Sequence, residues 1–174
     1  LGDVYKRQIQ NTEEAYKVVF ARGGIAFVEN RPAPAAEIID FIRSNGAAAV
    51  MAHPIHTKFK PDILYNVVRE LQQAGLSGIE VFHASQPRAN RQLYLDIIRD
   101  LGLITAGGSD FHGGTAHPEN KLGTGRRHNL NMPYMVLEQL HAAANAPAVN
   151  TAAPLSSASP VPPASYYAEL EKYL

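Results

Sequence analysis

Apolar residues recur at helical spacing in three segments of the chain, and a short apolar run follows each segment. Each segment opens with proline, and glycine comes directly after it, which is the usual asymmetry between the two ends of a helix. The predicted helices span residues 34–45, 61–74 and 87–101, and the apolar runs after them span 47–52, 78–82 and 103–106. This alternation indicates an α/β fold with a parallel sheet.

The first 32 residues do not share this pattern. Residues 1–8 have no helical or strand periodicity and are interpreted as a non-native leader. Residues 9–32 are predicted to form a small helical insertion. It has a helix over 12–22, a break at the glycines 23–24 and a short extended piece over 25–29.

The other end of the chain also differs in composition. Residues 144–174 are rich in Pro, Ala and Ser, a composition that buries too little apolar surface to offset the entropy lost on ordering. Within this tail, residues 165–174 can form a short helix. The α/β body is therefore expected to span 33–143.

Composition limits the kinds of binding site that the chain can form. Lys plus Arg and Asp plus Glu both number 16, so no net charge attracts nucleic acid or an anionic membrane. Because the chain has no cysteine, a metal would have to bind imidazole and carboxylate, which suit Zn, Mn or Fe. No apolar run approaches the roughly 20 residues needed to span a bilayer, and no secretory signal is evident, so we predict a cytoplasmic location.

Polar side chains follow each of the three predicted strands. His53 comes after the first strand, His83 after the second, and Asp110 and His112 after the third. Each of these residues alone is commonly structural. Together they are expected at one edge, because ligands collect at the carboxyl ends of parallel strands. Alternation about Phe111 would turn Asp110 and His112 to the same side, so the pattern predicts a metal site.

Three motifs carry a family resemblance. The segments 52–54 (Ala-His-Pro), 78–81 (Gly-Ile-Glu-Val) and 108–113 (Gly-Ser-Asp-Phe-His-Gly) resemble, in order and spacing, the later motifs of PHP (polymerase and histidinol phosphatase) domain phosphoesterases. The similar branch acts on nucleoside 3′,5′-bisphosphates and short RNA. The resemblance covers about residues 11–140. It implies the C-terminal portion of a distorted seven-stranded β/α barrel, with two or three divalent ions (Mn, Zn or Fe).

The same resemblance implies roles for the polar residues. His53 would bind the second metal ion, Asp110 the first and His112 the third. His83 stays open between a metal ligand and a substrate contact. Glu80 lies within a predicted strand, and we expect it to hydrogen-bond other site residues rather than to bind metal directly.

The implied substrate is a small phosphorylated molecule, a nucleotide or short RNA, and no obligate protein partner or membrane is indicated. The guanidinium of arginine can donate two parallel hydrogen bonds to a phosphate. Arg31 is the preferred candidate for binding the substrate phosphate, followed by Arg22. His56 is near enough to the site in sequence to contact substrate. The remaining candidates are Arg88, Arg126 and Arg127, although a solvated surface role is favoured for each arginine.

The chain lacks the motifs with which the family opens, before the helical insertion. The family opens with a His-x-His strand, an Asp-His pair and a bridging glutamate, whereas His53 is the first histidine in this sequence. Since each ion needs about four ligands, three or four residues cannot complete two or three ions. We therefore expect an inactive, truncated fragment of an active parent that has roughly one hundred further residues.

Two other interpretations stay open. A PHP-like module can bind metal for a structural purpose or assist a polymerase without turnover. An amidohydrolase-type barrel also gathers histidines and an aspartate at its strand ends. In such barrels the late aspartate usually stands without a histidine two residues on, so the Asp110-Phe111-His112 sequence favours a phosphoesterase.

Overall fold

The computed structural model describes residues 9, 12–29, 31–146 and 161–174. It divides into two compact units, Leu1–Ala33 and Pro34–Leu174, each of which is considered by itself. The predicted leader lies outside the described residues. Within the described part of the chain, no helix is both long enough and apolar enough to cross a bilayer.

The first unit contains one short helical segment. Helix α1 (Thr12–Glu14) continues directly into a π-helical turn (Ala15–Val19), so the helix ends three residues earlier than predicted. The extended piece predicted over residues 25–29 is not a strand. The N–H of Ala26 instead donates to the carbonyl of Val19 at 3.0 Å, which folds the chain back onto the end of the helix.

The second unit is an α/β structure built on a parallel sheet, as the sequence predicts. Its sheet has three strands in the order β1-β2-β3, and both neighbouring pairs are parallel. The elements in chain order are α2 (Ala35–Ser44), β1 (Val50–Met51), a 3₁₀ turn (Pro54–Thr57), α3 (Pro61–Gln73), β2 (Gly78–His83), α4 (Arg88–Leu101) and β3 (Ile104–Gly108).

The proline and glycine residues that were predicted to begin and end the helices occupy those positions. Pro61 occupies the first turn of α3, where its missing N–H costs no helical hydrogen bond. Gly102 ends α4 in the left-handed conformation, with φ of 66°, and its N–H donates to a carbonyl of the last turn. Between the helices and the sheet, Val68, Ile79 and Ile98 are fully buried. These contacts hold the carboxyl ends of the three strands side by side.

After β3 the chain forms a short helix and a hairpin. Helix α5 (Gly113–Ala116) precedes strands β4 (Asn120–Lys121) and β5 (Gly125–Arg126), which pair antiparallel. Helix α6 (Met135–Asn145) then covers β3.

The predicted terminal helix is present as α7 (Ala164–Glu171), and it is part of the core. Tyr166 and Leu170 are 1% and 0% exposed. The main-chain N–H of Thr105, in β3, donates to the hydroxyl of Tyr166 at 3.0 Å. The composition of residues 144–174 predicted a tail beyond the α/β body, since composition does not reveal which surface a distant helix covers.

Candidate metal centre

A β-bulge in β2 decides which side chains face the site. Glu80 pairs with Ala106 and Phe82 pairs with Gly107, so Val81 has no counterpart in β3. In a regular strand, residues three positions apart point to opposite faces. The extra residue shifts the alternation by one position, so that Glu80 and His83 turn to the same side.

His53, Glu80 and His83 come together at the carboxyl edge of the sheet. One ligand atom from each lies within 4.8 Å of the others, so this group can hold a metal ion. The main-chain N–H of His53 donates to Glu80 Oε2 at 2.9 Å, and His53 Nδ1 lies 3.1 Å from the same oxygen. The rings of His53 and His83 meet edge to face, with their centroids 4.5 Å apart. The hydrogen-bonding role predicted for Glu80 is therefore compatible with a place beside the metal.

The ring nitrogens of this group suit a cation. Although Glu80 Oε2 lies 3.1 Å away, the buried His53 Nδ1 makes no hydrogen bond, which costs about 1–3 kcal/mol unless another group satisfies the nitrogen. Two imidazoles and a carboxylate are ligands that Zn, Mn and Fe accept. The residues present therefore fit the divalent metal that the family resemblance implies.

Ser85 controls the orientation of the His83 ring. Its hydroxyl lies 2.8 Å from His83 Nδ1, and its main-chain N–H donates to the same nitrogen at 3.2 Å. When Nδ1 accepts from the N–H, the ring proton is on Nε2. Metal binding at Nε2 requires the other tautomer, in which Nδ1 donates to the Ser85 hydroxyl.

Asp110 and His112 adjoin this group through His83. Asp110 Oδ1 lies 3.8 Å from His83 Nε2 and 3.4 Å from His112 Nδ1. Strand alternation does not bring the two residues together, contrary to the prediction, because β3 ends at Gly108. Asp110 instead adopts a left-handed turn with φ of 54°, and His112 Nδ1 lies 2.9 Å from its carbonyl oxygen. The contacts run from His53 through His83 to Asp110 and then to His112.

Two of these residues have strained backbones. His53 and Asp110 both have positive φ values, 49° and 54°. The left-handed region costs most non-glycine residues roughly 1–2 kcal/mol, and Asp and His tolerate it better than most types. Both residues had already been singled out by their position after a strand.

Asn120 is a site residue that the sequence analysis missed. It is 7% exposed, and its Nδ2 donates to the Asp110 carbonyl at 3.0 Å and to Asp110 Oδ2 at 3.2 Å. No sequence signal distinguishes it, because asparagine is common beside turns.

Arg91 was also not predicted from the sequence. It is buried, and it donates to the carbonyls of His83 at 3.4 Å and Asn129 at 3.2 Å.

The predicted phosphate-binding residues are divided between the two units. Arg22 and Arg31 belong to the first unit, where Arg31 is exposed and lies 3.8 Å from Glu29. His56 is exposed, and its ring centroid lies 5.5 Å from that of His53. The other arginine candidates, in the second unit, are exposed as well: Arg88, Arg126 and Arg127.

Two curated proteins match the chain in sequence, whereas no family model does. The chain is 30% identical over 98 residues to a phosphoribosyl 1,2-cyclic phosphate 1,2-diphosphodiesterase of Eggerthella lenta, covering 56% of this chain and 36% of that protein. It is 26% identical over 105 residues to a 5'-3' exoribonuclease of Haemophilus influenzae, covering 60% of this chain and 38% of that protein. The chain thus spans little more than a third of each relative.

Solved structures share the fold. A candidate metal-dependent phosphoesterase from Bifidobacterium adolescentis superposes with a TM-score of 0.57 at 20% identity, over 81% of this chain and 47% of that one. An amidohydrolase from Chromobacterium violaceum, with bound sulfate and no metal, superposes with a TM-score of 0.53 at 19% identity, over 79% and 48%. The two sequence relatives confirm that this chain resembles the PHP-type phosphoesterases, and the two solved structures show a shared fold.

Proposed function

We propose that this chain holds divalent metal through His53, His83 and Asp110, and that it belongs to a phosphoesterase that cleaves nucleotide or short RNA substrates. One observation carries the proposal: imidazole and carboxylate atoms from the ends of neighbouring parallel strands lie within a few ångströms of each other. In α/β proteins this edge of the sheet is where ligands bind.

Each residue has a distinct task in this proposal. His53 and His83 offer ring nitrogens, and Asp110 offers Oδ1, the oxygen nearest to His83. Glu80 accepts the His53 N–H and so holds that residue in its left-handed turn. When bound, divalent ions at such a site lower the pKa of coordinated water and offset charge on phosphate oxygens.

The number of ligands favours a site that is shared with further residues. His53, His83 and Asp110 supply three ligands where one ion needs about four, and Glu80 and His112 are the nearest additional candidates. A centre of two or three ions therefore needs ligands beyond this group. Such a centre fits a larger, barrel-like sheet in which β1, β2 and β3 form one part, and we expect the 174-residue chain alone to have little activity.

The two sequence relatives suggest the substrate class. Both are named for cleaving phosphodiester bonds, in a cyclic sugar phosphate and in RNA. Arg31, Arg22 and His56 remain the proposed contacts to a substrate phosphate, since a guanidinium or an imidazole N–H donates hydrogen bonds to phosphate oxygens.

Metal binding by the purified chain tests this proposal. We expect Mn²⁺ or Zn²⁺ to bind in isothermal titration calorimetry and His83→Ala to weaken binding at least tenfold, because the cluster loses a central imidazole. His141→Ala, which alters an exposed histidine on α6, is the matched control and should leave the affinity unchanged. Absence of binding, or equal losses in the two variants, would contradict the proposed site.

Substrate assays separate the possible chemistries. A longer parent protein that contains this sequence is expected to hydrolyse bis-p-nitrophenyl phosphate and a short RNA when Mn²⁺ is present. Because the amidohydrolase shares the fold, an N-acyl amino acid should be tested in parallel. Amide cleavage without phosphodiester cleavage would replace the proposal with an amidohydrolase, and metal binding without either activity would indicate a non-catalytic module.

A further inference from the structure

Asn120 joins the hairpin to the turn that carries Asp110. One carboxamide nitrogen donates to two oxygens of Asp110, the main-chain carbonyl at 3.0 Å and the carboxylate Oδ2 at 3.2 Å. Asn120 is almost completely buried, so water competes little for these hydrogen bonds. The two contacts constrain both the backbone and the side chain of Asp110.

The second contact fixes the orientation of the Asp110 carboxylate, with one oxygen held by Asn120 and the other facing the histidines. Oδ2 of Asp110 is engaged by Asn120, whereas Oδ1 lies 3.8 Å from His83 Nε2 and 3.4 Å from His112 Nδ1. A half-turn of the carboxylate merely exchanges two chemically equivalent oxygens, whereas a smaller rotation would break the hydrogen bond to Asn120 and turn the second oxygen away from the imidazoles. Asn120 therefore keeps Oδ1 directed at the imidazoles.

The first contact supports a conformation that Asp110 does not favour by itself. With φ of 54°, Asp110 lies in the left-handed region, which is costly for a non-glycine residue. Such strain persists only where surrounding contacts hold it in place. The hydrogen bond from Asn120 to the Asp110 carbonyl is a contact of this kind.

The hairpin is itself anchored to the loop that follows His83. Asn129 Nδ2 donates to the Ala84 carbonyl at 2.6 Å, and the N–H of Arg126 donates to Asn129 Oδ1 at 2.9 Å. Because one end of the hairpin is tied beside His83 and the other end holds Asp110, the hairpin sets the spacing between these two residues.

We propose that Asn120 is a positioning residue, which holds Asp110 in its left-handed turn with Oδ1 directed at His83. This inference rests on the proposed metal site for its effect on metal affinity, but the contact itself exists without metal. Outer ligand-supporting residues of this kind typically change metal affinity 10- to 100-fold when they are removed.

The contact can be measured first without metal. In the nuclear magnetic resonance spectrum of the metal-free chain, Asp110→Ala should shift the side-chain amide signals of Asn120, while those of Asn66, an exposed residue of α3, stay in place. Unshifted Asn120 amide signals would overturn the inference whether or not the chain binds metal.

Metal affinity then tests the consequence. Asn120→Leu keeps the approximate size of the side chain and removes its donors, so Mn²⁺ affinity should fall about tenfold or more. Gln72→Leu is the matched control, because Gln72 donates to a single carbonyl, that of Leu101, at the other end of the sheet. It should change Mn²⁺ affinity less than about twofold.

A double-mutant cycle separates positioning from general destabilisation. If Asn120 acts through Asp110, Asn120→Leu should change Mn²⁺ affinity less than about twofold when Asp110→Ala is already present. An equal loss in both backgrounds would overturn the inference. Should Asn120→Leu fail to fold, Asn120→Ser retains one shorter donor and should give an intermediate affinity, and wild-type affinity in that variant would refute the role.

The outcomes for the two proposals differ. If the wild-type chain binds neither Mn²⁺ nor Zn²⁺, the proposed metal centre is refuted. The positioning role of Asn120 is then tested by its amide signals alone. If the Asn120→Leu variant binds metal with wild-type affinity, the proposed metal centre stands and the positioning role is refuted.

Discussion

Two adjacent glycines at the end of β3 provide a sharp test of the site architecture. A Cβ added at Gly107 would lie 2.1 Å from the Phe82 carbonyl oxygen and 2.7 Å from Phe82 Cβ. A Cβ added at Gly108 would meet no atom within 4 Å. Gly107→Ala and Gly108→Ala therefore make the same chemical change in opposite surroundings.

The cost of Gly107→Ala follows from the close approach of the strands. Real Cβ atoms essentially never approach another atom closer than 3.0 Å, so β2 and β3 must separate by roughly 1 Å. Overpacking of this kind costs about 1–3 kcal/mol, and the upper part of that range applies because the contact is with backbone, which cannot rotate away. We expect a loss of about 3 kcal/mol in the free energy of unfolding.

Gly108→Ala is expected to be neutral or to stabilise the protein slightly. Alanine reduces the conformational entropy of the unfolded chain, which is worth about 0.4–1 kcal/mol where the native backbone accepts it. Gly107→Ala should in addition weaken Mn²⁺ binding, because Phe82 directly precedes His83 and a shift of its backbone moves that ring.

Urea denaturation followed by circular dichroism measures both variants, with the slope of the transition checking that unfolding stays two-state. Equal midpoints for Gly107→Ala and Gly108→Ala would refute the close strand approach from which the cost is derived. A large loss of stability with unchanged Mn²⁺ affinity would refute the link between this contact and the position of His83.

The tyrosines of α7 give rise to two further predictions. Tyr166→Phe removes the acceptor of the Thr105 N–H and should lower the free energy of unfolding by about 1–3 kcal/mol, whereas Tyr134→Phe, at an exposed side chain, should change it by less than about 0.5 kcal/mol. Equal effects in urea titrations would show that α7 does not pack against β3 in this way. Burial raises the pKa of Tyr166 and of Tyr167 from 10.0 to about 12, so the stability that the neutral phenols contribute is complete below pH 10 and is lost as the pH rises toward 12. The urea midpoint should fall over that range, less steeply for Tyr166→Phe, and a constant midpoint would contradict the burial of these phenols.

Local signals account for the agreement between the predicted and observed helices. Proline in the first turn and glycine after the last act within a few residues, so they can be recognised without knowledge of the fold. The helix predicted over 61–74 is observed at Pro61–Gln73, and the one predicted over 87–101 at Arg88–Leu101. The extended piece predicted over 25–29 does not become a strand, because a strand needs a partner, which no local pattern specifies.

The candidate site likewise has residues that the sequence predicts and residues that it does not. His53 and Asp110 could be identified because each follows a predicted strand, and parallel strands bring their carboxyl ends to one edge. The close approach of Glu80 to His83 could not be predicted, because it depends on the extra residue at Val81 and thus on the pairing of β2 with β3. Asn120 could not be predicted because its partner is ten residues away across a turn.

The sequence by itself determined the α/β class, the order of helices and strands, and the edge at which the histidines and the aspartate emerge. These features follow from periodicity and turn residues, which act over short distances along the chain. Only the tertiary structure decided that His83 is the central residue of the group, that Asn120 holds Asp110, and that α7 completes the core. Each of these depends on contacts between segments whose mutual register arises only when the chain has folded.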